Sequence, residues 1–428
     1  MSESDLFCSE EYPYLCDKDS INMGLCKKNP SACDDFSSES ELPVIKTSSD
    51  SGKNYGYHAH NLKDYCGNVK IDYDVKTDGV IEGDQMSILP TRIVPEATIS
   101  EDLPQEIEEN FTIMTYNIFG LVKADQKNED CDYFMAARMD AVVDVVRKNN
   151  PDIVCFQEMS TKSFIMLKDE LTGMYPYYYE RDFDIESVKV ERNRTVEVCV
   201  FSRYKPKRVT LYSIGGNLGY NNSFMTMEFQ DLIIFNCYLQ VGSKFSPGQE
   251  SVWIHYARCR KQQLNSITAL AEKYAANGKS CIILGDFNCD LSGNHQDWPE
   301  LDALSGLTDT WTFLRPNDPG LTEDTDLNLM RWNMKFLPKK VRFDGILYLN
   351  PSDNEIILPT NIRLTGRKMR IMNKELSNIF TKYFIPKHTE DWEFNVKYYD
   401  SEKKLLGLWP SDHFALMATF NKPTSKLI

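Results

Sequence analysis

The sequence predicts an α/β (α+β) protein of layered sheets flanked by helices, preceded by an acidic extension. Three observations carry this. From Phe111 onward, short apolar strands alternate with amphipathic helices. Several neighbouring strands are joined by short connections, which makes hairpins and excludes a simple parallel βαβ array. The net charge of -15 is unevenly spread: residues 1–110 hold 23 acidic and 9 basic side chains, the remainder 40 and 39.

At 428 residues the chain suits one large domain with an appendage. Residues 1–50 are rich in Ser, Asp and Glu and lack periodic apolar positions, so disorder is expected there. Residues 51–110 have some β texture around Val69-Lys70-Ile71-Asp72-Tyr73 and close with an acidic stretch from Pro95 to Asn110 that reads as a linker. Residues 111–428 are left as the main domain. That domain is nearly neutral, so its charge neither demands nor forbids a phosphate-bearing polymer.

The opening from Met1 to Glu11 has no basic n-region and no apolar h-region, which speaks against a secretory signal. No run of 18 or more apolar residues predicts a transmembrane helix. The expectation is a soluble, intracellular, monomeric protein of cytoplasm or nucleus. Of the 12 cysteines, five (Cys8, Cys16, Cys26, Cys33 and Cys66) lie in the N-terminal region. No pair has CxxC spacing, so free thiols are expected in preference to zinc ligands or disulfides.

The elements follow in order. Phe111 to Asn117 reads as a strand of β-branched and aromatic residues. A helix over about 133–149 places Met135, Met139, Val142 and Val146 on one face, and Asn149-Asn150-Pro151 stops it. Ile153 to Phe156 is a buried strand ending at Gln157-Glu158. Val196 to Phe201 is a further strand. Ser223–Glu228 and Leu232–Leu239 form a hairpin around Phe229-Gln230-Asp231. A helix over about 257–276 aligns Leu264, Ile267, Ala271 and Tyr274, with Gly278 as its cap. Cys281 to Leu284 runs into Gly285-Asp286-Phe287-Asn288. Val341–Leu349 and Phe414–Phe420 are the last strands.

Five apolar strands thus end or begin in acidic, amide or imidazole residues: Tyr116-Asn117, Gln157-Glu158, Gly285-Asp286-Phe287-Asn288, Arg342-Phe343-Asp344 and Ser411-Asp412-His413. Strand ends are rigid supports that can converge on one pocket. Singly, each has a bland reading: a turn residue for Asn117, a solvated acid for Glu158, a plain turn for Asp286 to Asn288. Together, and in this order, they point to a catalytic site.

The order TYN, QE, GDFN, FDGIL and SDH resembles the endonuclease/exonuclease/phosphatase superfamily, the DNase-I-like fold, over about residues 111–422. The resemblance implies a four-layer α/β sandwich of two mostly antiparallel sheets between helical layers. It also implies phosphodiester hydrolysis with Mg²⁺ or Mn²⁺, the cation suiting oxygen ligands. Glu158 matches the metal ligand, and Asp412 an acid near the metal, acting directly or through water. Asp286 matches the residue that orients or deprotonates the attacking water. Asn117 and Asn288 match amides that hold water, metal or phosphate. His413 matches the histidine on the scissile phosphate, and Asp344 the carboxylate that orients it.

One position departs from the pattern. Where many of these phosphodiesterases have Thr-His-Leu, this chain has Cys237-Tyr238-Leu239. Tyr238 is either a donor to phosphate or a half-buried strand tyrosine. Arg258 and Arg260, beside Gln263, read as a solvated helix face, and Lys335 to Lys340 as a solvated basic loop.

Two branches of the superfamily are near. Asp309 to Leu314, Asp324 to Asn328, Arg342 to Leu347 and Pro410 to His413 resemble tyrosyl-DNA phosphodiesterases, which implies a nucleic-acid phosphodiester or a protein–DNA adduct as substrate. The acidic N-terminal region would then serve a protein partner. Phe235 to Gly242 and Phe201 to Tyr204 resemble neutral sphingomyelinases, apart from the missing histidine. A binding module that has lost catalysis is the third alternative.

Overall fold

A computed structural model describes residues 88–94, 107–120, 129–180, 195–215, 221–242, 253–292, 300–328, 330, 339–352, 357–378, 399–400 and 405–422. The expected disorder of residues 1–50, the N-terminal cysteines, the β texture at 69–73, most of the linker and Lys335 to Pro338 lie outside these residues.

Strand β1 (Ile88–Val94) opens the described chain, followed by β2 (Asn110–Asn117), helix α1 (Glu129–Asn149) and β3 (Ile153–Ser160). Helix α2 (Thr161–Leu171), β4 (Tyr177–Glu180), β5 (Thr195–Ser202), β6 (Arg208–Gly215), β7 (Asn221–Glu228) and β8 (Leu232–Tyr238) come next. Helix α3 (Trp253–Ala276) leads to β9 (Ser280–Asp286), β10 (Thr308–Asp309), the short α4 (Thr310–Leu314), β11 (Glu323–Asp324) and β12 (Lys340–Val341). The described chain closes with β13 (Asp344–Leu349), β14 (Leu358–Thr365), β15 (Arg370–Ile371), β16 (Tyr399–Asp400), β17 (Leu405–Leu408) and β18 (Ala415–Asn421).

Local chemistry fixes several ends. Asn150 takes a left-handed conformation (φ 51°) and ends α1 where Pro151 forbids continuation. Ser160 caps α2, with its side chain and that of Ser163 satisfying each other's backbone N–H groups. Gly278 (φ 79°) ends α3.

Two large sheets result. One has the order β1-β6-β7-β8-β9-β13-β10, the other β14-β18-β2-β3-β5-β4. In each, one central pair is parallel, β8 with β9 and β2 with β3, and the other pairs are antiparallel. The inner faces share one apolar cluster, in which Ile113, Ile153 and Val200 of one sheet meet Met225, Ile234 and Leu284 of the other. The outer face of the six-stranded sheet buries Met114, Tyr116 and Phe156 under Met135, Met139 and Val142 of α1. The outer face of the seven-stranded sheet buries Phe235, Cys281 and Ile283 under Leu264, Ile267 and Ala271 of α3. The architecture is the four-layer α/β sandwich, and the hairpin β7–β8 and both long helices stand where their periodicities placed them.

Two expectations are corrected. β1 falls inside residues 51–110, read as extension and linker, yet it pairs antiparallel with β6 and supplies an edge of the seven-stranded sheet. Pro90 hid it: a proline argues against a central strand and is at home on an edge. The strand expected over Val341–Leu349 is two strands, because the chain leaves β11 after Val341 and joins β9 from Asp344.

A polar bridge crosses the otherwise apolar interior. Gln157 on β3 donates to the Asn236 side chain on β8 at 2.7 Å. Asn236 in turn donates to the carbonyls of Phe156 (3.2 Å) and Cys199 (2.9 Å) in the opposite sheet. Buried and mutually satisfied, these amides fix one alignment of the two sheets.

Candidate active site

The strand ends meet at one edge of the sandwich. β2 and β3 run parallel with Asn117 beside Gln157. In the other sheet Tyr238, Asp286 and Asp344 form a row across three neighbouring strands, Tyr238 level with Asp286 and Asp286 level with Asp344. β18 runs antiparallel to β2, so the residues just before it, Ser411, Asp412 and His413, return to the same edge.

Backbone irregularities aim the side chains. The β3–β5 register shifts between Gln157 and Met159, and the residue left over is Glu158, at φ 53°. A bulge of this kind re-aims one side chain, and the left-handed conformation of a glutamate is a cost sustained by its surroundings. Asn288 has φ 52°, which asparagine tolerates well. Gly285 sits at φ 136°, and a Cβ there would lie 1.9 Å from the Cys237 carbonyl oxygen. Only glycine lets β9 pass β8 this closely just before Asp286.

The carboxylates are tied together by amides. Asn117 Nδ2 donates to Glu158 Oε1 at 3.1 Å and to Asp286 Oδ2 at 2.9 Å. Its Oδ1 accepts from the Phe119 N–H at 3.0 Å, which assigns the amide's orientation. Tyr238 donates its hydroxyl to Glu158 Oε1 at 2.9 Å. The backbone N–H of Asn288 donates to Asp286 Oδ1 at 2.8 Å, while its side chain donates to the Leu239 carbonyl at 3.1 Å. Tyr238 is therefore buried and bonded to an acid of the site.

His413 is held at both ring nitrogens. Nδ1 lies 2.7 Å from Asp344 Oδ2, and Nε2 lies 3.1 Å from Glu323 Oε1. Burial opposes its charge, but Asp344, Glu323 and Asp412 outweigh that and hold the imidazole protonated well above its ordinary range. Ser411 Oγ donates to the Asn117 carbonyl at 2.7 Å and accepts from the His413 N–H at 3.2 Å, which locks this turn to β2. Asp412 Oδ1 is 4.0 Å from His413 Nε2.

The charge balance decides what else fits here. Glu158, Asp286, Glu323, Asp344 and Asp412 are all buried, against His413 and the Lys339 ammonium, which pairs with Glu323 at 2.7 Å. Buried carboxylates without matching cations are costly. Burial and the neighbouring acids push Asp286 up to about 7 and Glu158 upward as well. Asp344 Oδ1 is buried without a hydrogen-bond partner. An oxygen-rich pocket with excess negative charge fits a divalent cation. Asp286, Asp344 and His413 offer ligand atoms within 4.8 Å of one another, but a protonated His413 held between Asp344 and Glu323 has no lone pair to give a cation, which leaves the carboxylates as the donors.

Several residues at the site were not singled out in the sequence. Glu323 is one, and the second, Lys339, was expected in a solvated basic loop but is buried against Glu323, so that reading is corrected. Arg138 is a third: fully buried, it donates to the carbonyls of Ile118, of Phe119 (2.9 Å) and of Pro410 (3.2 Å), clasping the segments that carry Asn117 and His413. Arg258 is exposed as expected, but Arg260 is not. It is fully buried, pairs with Glu300 at 2.7 Å and donates to the Gln240 carbonyl at 3.0 Å, so that reading is corrected. Gln263 beside it accepts from the Gln240 N–H at 3.0 Å. The Asp309-to-Leu314 segment has a structural role. Asp309 caps α4 through the Trp311 N–H and pairs with Arg342 at 2.6 Å, bracing the approach to Asp344.

Two packed sheets with a buried carboxylate–histidine cluster at one edge define the class by fold, the DNase-I-like type. The model of the endonuclease/exonuclease/phosphatase family matches residues 114–323 of the chain. Among solved structures, SmcL is 14% identical with a TM-score of 0.50, over 73% of this chain and 99% of that one. TDP2 from C. elegans is 17% identical with a TM-score of 0.49, over 90% of this chain and 100% of that one. Sphingomyelinase C from Streptomyces griseocarneus is 14% identical with a TM-score of 0.47, over 72% of this chain and 99% of that one. At these identities the likeness is one of fold. No curated protein matches the sequence. Among the described residues no helix is long and apolar enough to cross a membrane.

Proposed function

We propose that the protein is a Mg²⁺- or Mn²⁺-dependent phosphodiester hydrolase acting on nucleic-acid phosphodiesters, 5′-tyrosyl-DNA adducts above all. The observation that carries the hydrolytic reading is the bridge from Asn117 to both Glu158 and Asp286, completed by the Asp344–His413 pair across the site. A module that had lost catalysis would not need to keep Glu158, Asp286, Asp344, Asp412 and His413 in one buried cluster.

In this reading Glu158 and Asp412 hold the cation, which supplies Lewis-acid polarisation of the phosphate and an acidified water. Asp286, held near neutrality, takes the proton of the attacking water. Asn117 and Asn288 keep that carboxylate in place. His413 donates to the phosphoryl oxygens as negative charge grows, and Asp344 keeps its ring oriented. Tyr238 positions Glu158.

The substrate preference rests on the resemblance around Asp309 to Leu314, Asp324 to Asn328 and Arg342 to Leu347. It also rests on Tyr238, which stands where sphingomyelinase-type sequences have histidine. The test is a side-by-side assay with Mg²⁺ and with EDTA on a 5′-phosphotyrosyl oligonucleotide, an abasic duplex, single-stranded DNA and sphingomyelin vesicles. Metal-dependent tyrosine release is expected. Choline-phosphate release would move the enzyme to lipids, and inactivity on all four would remove the reading.

A further inference from the structure

Glu323 stands where a substrate would be expected to go. A histidine has two ring nitrogens, and Asp344 takes Nδ1 of His413 at 2.7 Å. Nε2 is the one left for a phosphoryl oxygen, and Glu323 Oε1 lies 3.1 Å from it. Glu323 is fully buried and well anchored. Thr322, its neighbour, accepts from the N–H groups of Phe343 (3.1 Å) and Asp344 (3.2 Å), and its carbonyl accepts from Phe414 at 2.8 Å. β11 pairs with β12, which places Glu323 level with Val341. Lys339 holds the other carboxylate oxygen at 2.7 Å. A phosphate reaching Nε2 therefore shares it with Glu323 or displaces it, and remains beside that carboxylate.

We propose that Glu323 is a specificity-determining residue that makes the site select singly charged phosphodiesters over doubly charged phosphate monoesters, with Lys339 setting how strongly it does so. This deepens the phosphodiesterase reading and rests on it. A diester carries one negative charge, whereas a terminal phosphate has a second ionisation near pH 6 and carries nearly two at pH 7.5. Next to a buried carboxylate the second charge is repelled, and the low local dielectric makes that repulsion count. The product of hydrolysis is such a monoester, so the same residue speeds its release. Lys339 neutralises part of the Glu323 charge and so moderates the selection.

The test is calorimetric titration of the full chain with Mg²⁺ at pH 7.5, comparing inorganic phosphate with dimethyl phosphate. In Glu323→Gln the affinity for phosphate relative to dimethyl phosphate should rise by about tenfold, a single charge–charge contact at a partly neutralised site. In Lys339→Met the ratio should fall, because the carboxylate is then uncompensated. A purely structural role would shift both variants in the same direction or leave the ratio unchanged, and either result overturns the proposal. Should Glu323→Gln not fold, Lys339→Met decides alone, and a ratio that does not fall overturns it. If the wild-type protein binds neither anion, the phosphodiesterase reading fails too. Binding with an unaltered ratio removes the role of Glu323 only.

Discussion

Asp286 and Asp344 lie opposite each other in adjacent antiparallel strands, yet their oxygens turn to different partners. Asp286 takes Asn117 and the Asn288 backbone, while Asp344 takes His413. Two acids in one register row are thereby given different environments, one poised near neutrality and one committed to an imidazolium.

Asn117 is the donor that joins the acid pair, so Asn117→Ala should lower kcat by about 10² to 10³-fold, the usual cost of removing one preorganised donor. The measurement is steady-state hydrolysis of bis(p-nitrophenyl) phosphate with Mg²⁺, alongside circular dichroism. A folded variant with kcat within threefold of wild type would refute the bridging role.

The pH dependence of stability in EDTA follows from the buried protons. Asp286 titrates near 7 in the folded chain and near 4 when unfolded, so folded protein retains a proton that unfolded protein has released between those values. Its contribution to stability is complete below about pH 4 and is lost as pH rises through about 7. Glu158 and His413 are also shifted upward and act in the same direction. Urea midpoints should fall from pH 5 to pH 8, and fall less in Asp286→Asn. A midpoint that climbs over this range contradicts the assignment.

Adding Mg²⁺ should reverse that loss. The cation competes with protons for the acids, so its stabilisation grows from pH 5.5 to pH 7.5 and reaches about 2.7 kcal/mol at a hundredfold excess over its dissociation constant. Thermal melts of wild type and Glu158→Gln check this. Equal Mg²⁺ shifts in the two proteins would exclude Glu158 as a ligand.

Away from the site, Arg260 and Glu300 form a fully buried pair. Glu300→Ala removes the guanidinium's buried counter-charge and should cost about 3–5 kcal/mol in urea unfolding, whereas Arg260→Met with Glu300→Leu should recover most of it. A loss below about 1 kcal/mol for the single change would show that water or a neighbour compensates Arg260.

The catalytic candidates could be read from the sequence because each lies at the end of an apolar run, where periodicity stops and a polar residue stands alone. Two buried arginines were legible in principle. Arg260 falls on the same helical face as Leu264, Ile267 and Ala271, and Arg138 lies between Met135 and Val142. The general rule that arginine is exposed outweighed the spacing at Arg260, although a long side chain on an apolar stripe can be buried when it finds carbonyls or a carboxylate. Glu323 gave no such sign. Its strand is two residues long, too short for any period, and its partners Lys339 and His413 are distant in sequence. The Gln157–Asn236 bridge was also invisible, since it depends on how two sheets stack, which no local pattern encodes.

That stacking makes the site a composite. Asn117 and Glu158 stand on one sheet, with His413 just ahead of its strand β18, and Tyr238, Asp286 and Asp344 stand on the other, so neither half carries the whole candidate set. Turnover therefore gauges the interlocking of the halves. A chain whose sheets have formed but not yet docked would keep its circular dichroism and hydrolyse nothing, and activity would be the last property gained on folding and the first lost as the halves part.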